Sequence, residues 1–262
     1  MRELNRRHAL LSGLAMGVGA WPALAVGQSF SNAIWSKGAA TALCIGCSNY
    51  QSGENLETPR ADALEVARHF IRLGYETEVL LDPSRQDILV ALAHLRLRSS
   101  NAGTCVIYFA GHGVMLDGEV HALPSDFALK DIRAGNGMIP ERTFATAISE
   151  KPRRKILLFD SCRTNPFVTE AKSALHGSMG LNGLAGLFSG YGTQPGAPAF
   201  DGGNGNSPFA KAIIRNLGQR PKQIEDFFKS VRLQVVRETS GLQIPWTRSS
   251  LLTRVSLHAG SS

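Results

Sequence analysis

The sequence predicts an α/β domain with a mainly parallel six-stranded sheet and helices on both faces. Short runs rich in β-branched and aromatic residues alternate along the chain with longer amphipathic runs of helical period. This alternation is typical of parallel sheets, because a helical crossover must carry the chain back to the edge where the next strand begins. Two runs, Thr104–Phe109 and Lys155–Phe159, are almost entirely apolar, as expected of strands that are buried on both faces.

The first half of the chain is predicted to supply three strands and the helices between them. The first helix begins with Thr58 as N-cap and Pro59 at its first position, and Gly74 ends it. A capping box at residues 84–87, Ser-Arg-Gln-Asp, starts the second helix. The three predicted strands are Thr41–Gly46, Glu76–Leu81 and Thr104–Phe109.

The second half is predicted to complete the sheet. A short alternating run at Glu119–Leu123 and a helix at Glu141–Ser149 precede the buried strand Lys155–Phe159. Residues 168–206 are rich in Gly, Ser and Asn, so we expect loops there around one further strand, within Leu184–Tyr191. The remaining elements are a helix from Ser207 and Pro208 to Leu217, a helix at Gln223–Glu238 and a closing strand at Leu251–Leu257.

Reactive side chains follow two of the buried strands. His112 comes just after Thr104–Phe109, and Cys162 comes just after Lys155–Phe159. Parallel strands joined by right-handed crossovers end at one edge of the sheet, so neighbouring strands would bring the imidazole and the thiol together. A nearby imidazolium lowers the pKa of a thiol and makes thiolate abundant at neutral pH. The pattern predicts a catalytic dyad, and the open alternative is a buried cysteine with a structural loop histidine.

Glycines flank the predicted base. Gly111 and Gly113 allow the backbone to bend sharply and would bring an amide close to the carbonyl group of a substrate. The predicted oxyanion hole therefore consists of the N–H groups of Gly113 and Cys162. Each such donor typically contributes about 3 kcal/mol of transition-state stabilisation.

Six short segments occur in an order that is characteristic of one family. They are Ala42–Tyr50 (ALCIGCSNY), Tyr108–Gly113 (YFAGHG), Leu123–Asp126 (LPSD), Asp160–Phe167 (DSCRTNPF), Asp201–Phe209 (DGGNGNSPF) and Gln243–Trp246 (QIPW). Together they resemble the caspase-like cysteine peptidases of bacteria, relatives of the metacaspases. This resemblance runs from Ala42 to about Leu252. It implies a single caspase-like sandwich, a peptide or protein substrate, and His112 and Cys162 as the dyad.

The resemblance also implies a domain organisation. Residues 39–258 would form the peptidase domain, with a large-subunit-like part to about residue 168, a loop at 169–184 and a small-subunit-like part at 185–258. Lys172 lies in the loop where relatives self-cleave. One departure concerns Cys47, which stands where the family usually carries Asn, so contacts near the first strand are expected to differ.

A substrate preference follows from the same resemblance. The family builds its primary pocket partly from the residue two positions before the nucleophile and from the start of the first helix, which here are Asp160 and Asp62. Two carboxylates in one pocket favour Arg or Lys through charge-assisted hydrogen bonds. The alternative is that Asp62 pairs with Arg60 or Arg68 on the helix surface and that Asp160 only shapes a turn.

The first 25 residues have the pattern of a cleaved export signal. A basic start precedes an apolar run from Ala9 to Ala20 and the small-residue triplet at 23–25. The apolar run is shorter than the roughly 20 residues that span a bilayer, so no stable membrane anchor is expected after cleavage. Arg6 and Arg7 also resemble a twin-arginine signal. We therefore expect an exported, periplasmic or secreted protein, with residues 26–38 as a linker.

Other classes of function find less support. The formal net charge is +7, but the cationic residues are scattered along the chain, so no nucleic-acid partner is expected. The sequence has no close Cys/His ligand set and no phosphate loop, so neither a metal nor a cofactor is expected, and calcium dependence stays open. Cys44 and Cys47 suggest a redox motif, yet in a strand they would lie about 10 Å apart, too far for a disulfide. A non-catalytic caspase-like binding or signalling module remains the main alternative to a peptidase.

Overall fold

The computed structural model describes residues 40–128, 137–150, 154–163, 185–203 and 205–258. The predicted export signal, the linker, the loop at 169–184 and Lys172 lie outside these residues. Within them, the strands are β1 (Ala40–Gly46), β2 (Tyr75–Leu81), β3 (Thr104–Ala110), β4 (Gly113–Leu116), β5 (Glu119–Ala122), β6 (Ile139–Pro140), β7 (Arg154–Asp160), β8 (Leu187–Tyr191) and β9 (Trp246–Ser249). The helices are α1 (Pro59–Arg72), α2 (Arg85–Ser99), α3 (Glu141–Ala147), α4 (Pro208–Leu217) and α5 (Ile224–Glu238).

The main sheet has six strands in the order β2-β1-β3-β7-β8-β9. The first five are parallel, and β9 runs antiparallel to β8. The predicted mainly parallel six-stranded sheet is therefore confirmed. β1, β3 and β7 end level with one another, because Gly46 pairs with Ala110 and Ala110 pairs with Asp160. Chain segments that follow these strands consequently leave the sheet at one edge.

Helices cover both faces of this sheet, as predicted. One hydrophobic cluster joins the strands to α1, α4 and α5, and a second joins them to α2 and α3. Residues of each central strand alternate between the two clusters, so that Tyr108 packs on the first face and Phe109 on the second. Contact is especially close at Gly190 in β8, where an added Cβ would lie 2.1 Å from the ring of Phe228 in α5. Burial of one such phenylalanine side chain contributes about 1.5–3 kcal/mol.

The start of α2 is stabilised by its local sequence, whereas the start of α1 is stabilised by a distant residue. At α2, the predicted capping box is present, because Asp87 N donates to Ser84 Oγ at 3.2 Å and Ser84 N donates to Asp87 Oδ2 at 3.0 Å. At α1, the N-cap residue Thr58 makes no side-chain cap. Instead, the carboxylate of Asp201 accepts hydrogen bonds from the backbone N–H groups of Glu57 and Thr58.

The predicted closing strand at Leu251–Leu257 is wrong. The edge of the sheet is formed by β9, and residues 251–257 contribute one isolated bridge, between Ser256 and Gln223. Val255 and Leu257 are buried in the first hydrophobic cluster, so their apolar character reflects core packing of an irregular segment. The structure also adds a small antiparallel sheet, β4-β5-β6, of which only β5 was predicted.

Cys44 and Cys47 are free thiols on opposite sides of the main sheet. Cys44 belongs to the cluster on the α1 face and Cys47 to the cluster on the α2 face. Burial raises the pKa of both thiols well above the ordinary value, and the charge of Asp82 raises that of Cys47 further. This arrangement does not favour the redox motif considered from the sequence.

Thiol titration is expected to distinguish Cys162 from the other cysteines. Of the four cysteines, Cys162 is partly exposed, whereas Cys44, Cys47 and Cys105 are buried. A disulfide reagent such as Ellman's reagent should therefore modify one thiol rapidly in the native protein and four after denaturation. If the denatured protein shows two thiols instead of four, and a reducing agent restores the other two, the assignment of Cys44 and Cys47 as unpaired core residues is contradicted.

Candidate active site

The ends of β3 and β7 place His112 and Cys162 at one pocket. The two strands are neighbours about 4.8 Å apart, and their pairing continues beyond the strands, since Gly111 N donates to Asp160 O at 3.1 Å. Both His112 and Cys162 line a pocket of about 80 Å³ at this edge of the sheet. The structure therefore brings together the imidazole and the thiol that the sequence singles out.

The imidazole of His112 is oriented by a backbone carbonyl. Its Nε2 lies 2.6 Å from Glu54 O. A carbonyl oxygen can only accept a hydrogen bond, so Nε2 carries the proton and donates. In the neutral ring Nδ1 then keeps a free lone pair, which is the state that a general base requires.

The thiol of Cys162 lies against the backbone of Ala199. Ala199 N donates to Sγ at 3.4 Å, and Sγ lies 3.8 Å from Ala199 O. The Sγ atom of Cys162 is therefore held by both backbone groups of one residue, as acceptor from its N–H and as donor to its carbonyl oxygen. Within the described part of the chain, the hydrogen bonds of the Cys162 and His112 side chains go to backbone groups of Ala199 and Glu54, and not to each other.

Gly113 lies directly against Ser161 and Cys162, the residues that follow β7. A Cβ at this position would lie 2.6 Å from Ser161 Oγ and 3.0 Å from Cys162 O, so any side chain would displace the backbone that carries the thiol. Leu123 N donates to His112 O at 3.0 Å, which makes the next pair, Gly113 and Ala122, a non-hydrogen-bonded pair of the β4-β5 ladder. The N–H of Gly113 consequently points away from β5.

Asp62 and Asp160 are both buried and both line the pocket. Arg60 forms an ion pair with Asp82, and Arg68 forms one with Glu65. The structure therefore does not show the alternative in which Asp62 pairs with an arginine on the helix surface.

Ser207 connects the two carboxyl groups. Its backbone N donates to Asp62 Oδ1 at 3.0 Å, and its hydroxyl donates to Asp160 Oδ2 at 2.5 Å. The same hydroxyl accepts a hydrogen bond from Ala210 N at 2.9 Å and so caps α4. Tyr108 also donates to Asp160 Oδ2, at 3.2 Å.

Burial raises the pKa of both carboxyl groups. The pKa of Asp62 rises to about 6, although hydrogen bonds from Asn206 and Ser207 oppose the effect. Burial and, next, the charge of Asp62 raise the pKa of Asp160 to about 8. The ionised forms of both carboxyl groups are therefore disfavoured near neutral pH, and a cation that enters the pocket would favour them.

Asp201 is a third pocket carboxyl group, and the sequence reasoning assigned it no role. It lines the same pocket, and its charge raises the pKa of both Asp62 and Asp160. The sequence signal for Asp201 is its place at the start of the family segment Asp201–Phe209, because its contacts with Thr58 are tertiary. Although three carboxyl groups line the pocket, the described residues contain no group of three or more His, Cys, Asp or Glu side chains arranged to hold a metal ion.

Asp160→Asn is expected to make stability less dependent on pH. A carboxyl group whose pKa is raised by folding favours the native state while protonated, so its contribution is complete below about pH 4 and is lost as the pH rises through about 8. Asparagine keeps an acceptor for Ser207 but does not ionise. The free energy of unfolding, measured in urea from about pH 5 to about pH 9, should fall less steeply in this variant than in the wild type.

The matched control for this experiment is Asp226→Asn, which changes an exposed carboxylate on α5. Its pH dependence should parallel that of the wild type. If the free energy of unfolding depends on pH equally in the wild type and in both variants, Asp160 does not resist ionisation in the folded protein.

Comparison with curated proteins finds two relatives. Mucosa-associated lymphoid tissue lymphoma translocation protein 1 of Homo sapiens is 27% identical over 220 residues, which cover 80% of this chain and 26% of the human protein. Its homolog in Mus musculus is 26% identical over 220 residues, which cover 80% of this chain and 25% of the mouse protein. The chain therefore spans about a quarter of the length of these relatives.

The fold and the family agree with one another. The crystal structure of caspase-1 from Spodoptera frugiperda superposes with a TM-score of 0.64 over 86% of this chain and 92% of that chain, at 14% sequence identity, which supports the fold alone. In the described residues, no helix is long and apolar enough to span a membrane. A family model for the caspase domain matches residues 39–256. The chain therefore belongs to the caspase domain family, whose chemistry is that of a cysteine peptidase-type hydrolase acting on proteins.

Proposed function

We propose that this protein is a cysteine endopeptidase that hydrolyses peptide bonds through Cys162 and His112. The observation that carries the proposal is the position of a partly exposed thiol and a carbonyl-oriented imidazole in one pocket, after two paired parallel strands. Of the four cysteines, this is the one that lies outside the buried core. Membership of the caspase domain family supports the same reaction class.

In the proposed mechanism, the thiolate of Cys162 attacks the carbonyl carbon of the scissile peptide bond. The N–H groups of Gly113 and Cys162 stabilise the oxyanion, and the protonated imidazole of His112 gives its Nδ1 proton to the leaving amine. Water then attacks the acyl-enzyme while Nδ1 accepts a proton from that water, and the thiolate leaves. Throughout the cycle, Nε2–H donates to Glu54 O and holds the orientation of the ring. The cycle requires no metal ion or cofactor, so we propose that the enzyme works without either.

We further propose that cleavage occurs after Arg or Lys. Asp62 and Asp160 would hold the cationic side chain, and Asp201 would add to the negative potential of the pocket. Burial raises the pKa of both carboxyl groups, so ionising them in the pocket is unfavourable, and the charge of a cationic substrate side chain would offset that cost. Neutral or acidic side chains cannot do this, which is the physical basis of the expected selectivity.

The site of action is proposed to be outside the cytoplasm. The support is the sequence of residues 1–25, with its basic start, apolar run and Ala23-Leu24-Ala25 triplet. Three buried free thiols are compatible with an oxidising compartment, because burial protects them from exchange.

A non-catalytic binding module is the competing function. It is favoured by one observation, that His112 and Cys162 hydrogen-bond to Glu54 and Ala199 and not to each other. Catalytic hydrogen bonds are often long in a free enzyme and shorten when substrate binds, so this observation leaves the peptidase proposal intact.

Cys162→Ala is expected to abolish cleavage of fluorogenic peptides that carry Arg before the reporter. Loss of the nucleophile typically costs at least about 10³-fold in kcat. Cys105→Ala is the matched control, since that thiol is buried away from the pocket, and it should retain activity. Wild-type protein that cleaves no peptide in a library varied at this position would support the binding module instead.

Asp62→Asn is expected to weaken the preference for basic residues. One charge-assisted hydrogen bond contributes about 1.5–3 kcal/mol, so kcat/KM for an Arg reporter should fall by about 10- to 100-fold, whereas that for a matched Gln reporter should change little. In the wild type, KM for the Arg reporter should decrease as the pH rises from about 6 to about 8, because the two carboxyl groups ionise in this range. Equal losses for the Arg and Gln reporters would indicate that Asp62 does not contact the substrate.

A further inference from the structure

We infer that Tyr50 is a positioning residue for His112, which deepens the proposed peptidase function and rests on it. Tyr50 lies in the loop after β1 and is buried beside the pocket. It contacts the backbone of His112, the face of the imidazole ring and the loop that carries Glu54. These three contacts together determine which ring nitrogen of His112 faces the pocket.

The hydroxyl of Tyr50 bridges two strands where the ladder between them begins. It accepts a hydrogen bond from His112 N at 2.7 Å and donates to Leu123 O at 3.4 Å. His112 and Leu123 face each other at the start of β4-β5, and Leu123 N already donates to His112 O. The hydroxyl thus replaces the direct hydrogen bond from His112 N to Leu123 O that would otherwise complete this pair of the ladder. Because burial holds the pKa of Tyr50 well above its ordinary value, the hydroxyl stays protonated and keeps both roles.

Gly111 provides the space for this hydroxyl. A Cβ at Gly111 would lie 2.6 Å from Tyr50 Oη and 3.1 Å from Cys47 Cβ. Its φ of 152° is also an angle that side-chain-bearing residues rarely adopt. Gly111 is therefore required because any larger residue would collide with the hydroxyl of Tyr50.

The ring of Tyr50 restricts the imidazole from one side. The two ring centroids are 4.6 Å apart with an interplanar angle of 47°. Aromatic pairs in this distance range attract each other and limit rotation of the smaller ring. Rotation of the His112 ring by half a turn would remove Nε2 from Glu54 O.

Tyr50 also helps to shape the loop that supplies the carbonyl acceptor. Its backbone N donates to Asn55 Oδ1 at 2.8 Å, and Leu56 N donates to Ser48 O at 2.9 Å. These bonds turn residues 50–56 back on themselves. Glu54 O is thereby held 2.6 Å from Nε2 of His112.

The test compares Tyr50→Phe with Tyr75→Phe. Both tyrosines are buried and both hydroxyls donate to a backbone carbonyl, but Tyr75 bonds Leu257 O, away from the pocket. Tyr50→Phe is expected to reduce kcat for an Arg reporter by about 10- to 100-fold with little change in KM, because misplacement of a catalytic group costs rate and not affinity. Tyr75→Phe should retain the wild-type kcat.

A second readout reports the imidazole directly and needs no activity. Long-range ¹H–¹⁵N spectra of histidine-labelled protein distinguish the two neutral tautomers, and His112→Ala identifies the signal of His112. We expect the Nε2–H tautomer alone in the wild type and in Tyr75→Phe, and a mixture of tautomers in Tyr50→Phe. An unchanged tautomer together with an unchanged kcat in Tyr50→Phe would overturn the inference.

The two proposals fail in different ways. If the wild type cleaves no peptide, the peptidase proposal fails, whereas the tautomer spectra still decide whether Tyr50 orients His112. If Tyr50→Phe does not fold, Asn55→Ala takes its place, because Asn55 is exposed and its loss releases only the loop that carries Glu54. In that variant, a reduced kcat and mixed tautomers support the inference, and wild-type values of both overturn it.

Discussion

The level register of β3 with β7 is the constraint on which the site depends. Ala110 and Asp160 are paired at the ends of two parallel strands, so the residues that follow them leave the sheet side by side. One pairing therefore places His112, Cys162 and the carboxyl group of Asp160 around a single pocket. A shift of one residue would exchange the faces on which all the side chains of one strand lie, and the buried apolar residues of both strands oppose such a shift.

The pocket is built from polar groups that are unfavourable to bury, and neighbouring elements satisfy them. Ser207 is at once the cap of α4 and a donor to Asp62 and Asp160, while Asp201 caps α1 from a distant loop. The proposed specificity pocket and the starts of α1 and α4 thus share the same atoms. The raised pKa values of Asp62 and Asp160 measure the remaining cost, which a cationic substrate group would relieve.

Prediction from the sequence succeeded where the signal was local. The Ser84–Asp87 capping box, the alternation of strands with helices and the position of His112 after β3 all depend on neighbouring residues, and the structure has them as expected. It failed at Leu251–Leu257, because an apolar run does not reveal whether its residues pack as a strand or as an irregular core segment. Asp201 was missed for a related reason, since its partners Glu57 and Thr58 are more than 140 residues away.

The sequence by itself determined the fold class, the family segments and the types of reactive side chain, because periodicity, capping and motif order are properties of neighbouring residues. Only the tertiary structure decided which groups meet. It placed Glu54 O on Nε2 of His112, the Tyr50 hydroxyl above Gly111 and Ser207 between two carboxyl groups. Those contacts join segments far apart in the chain, and burial at their meeting point sets the charge state of the pocket, a quantity that no local pattern contains.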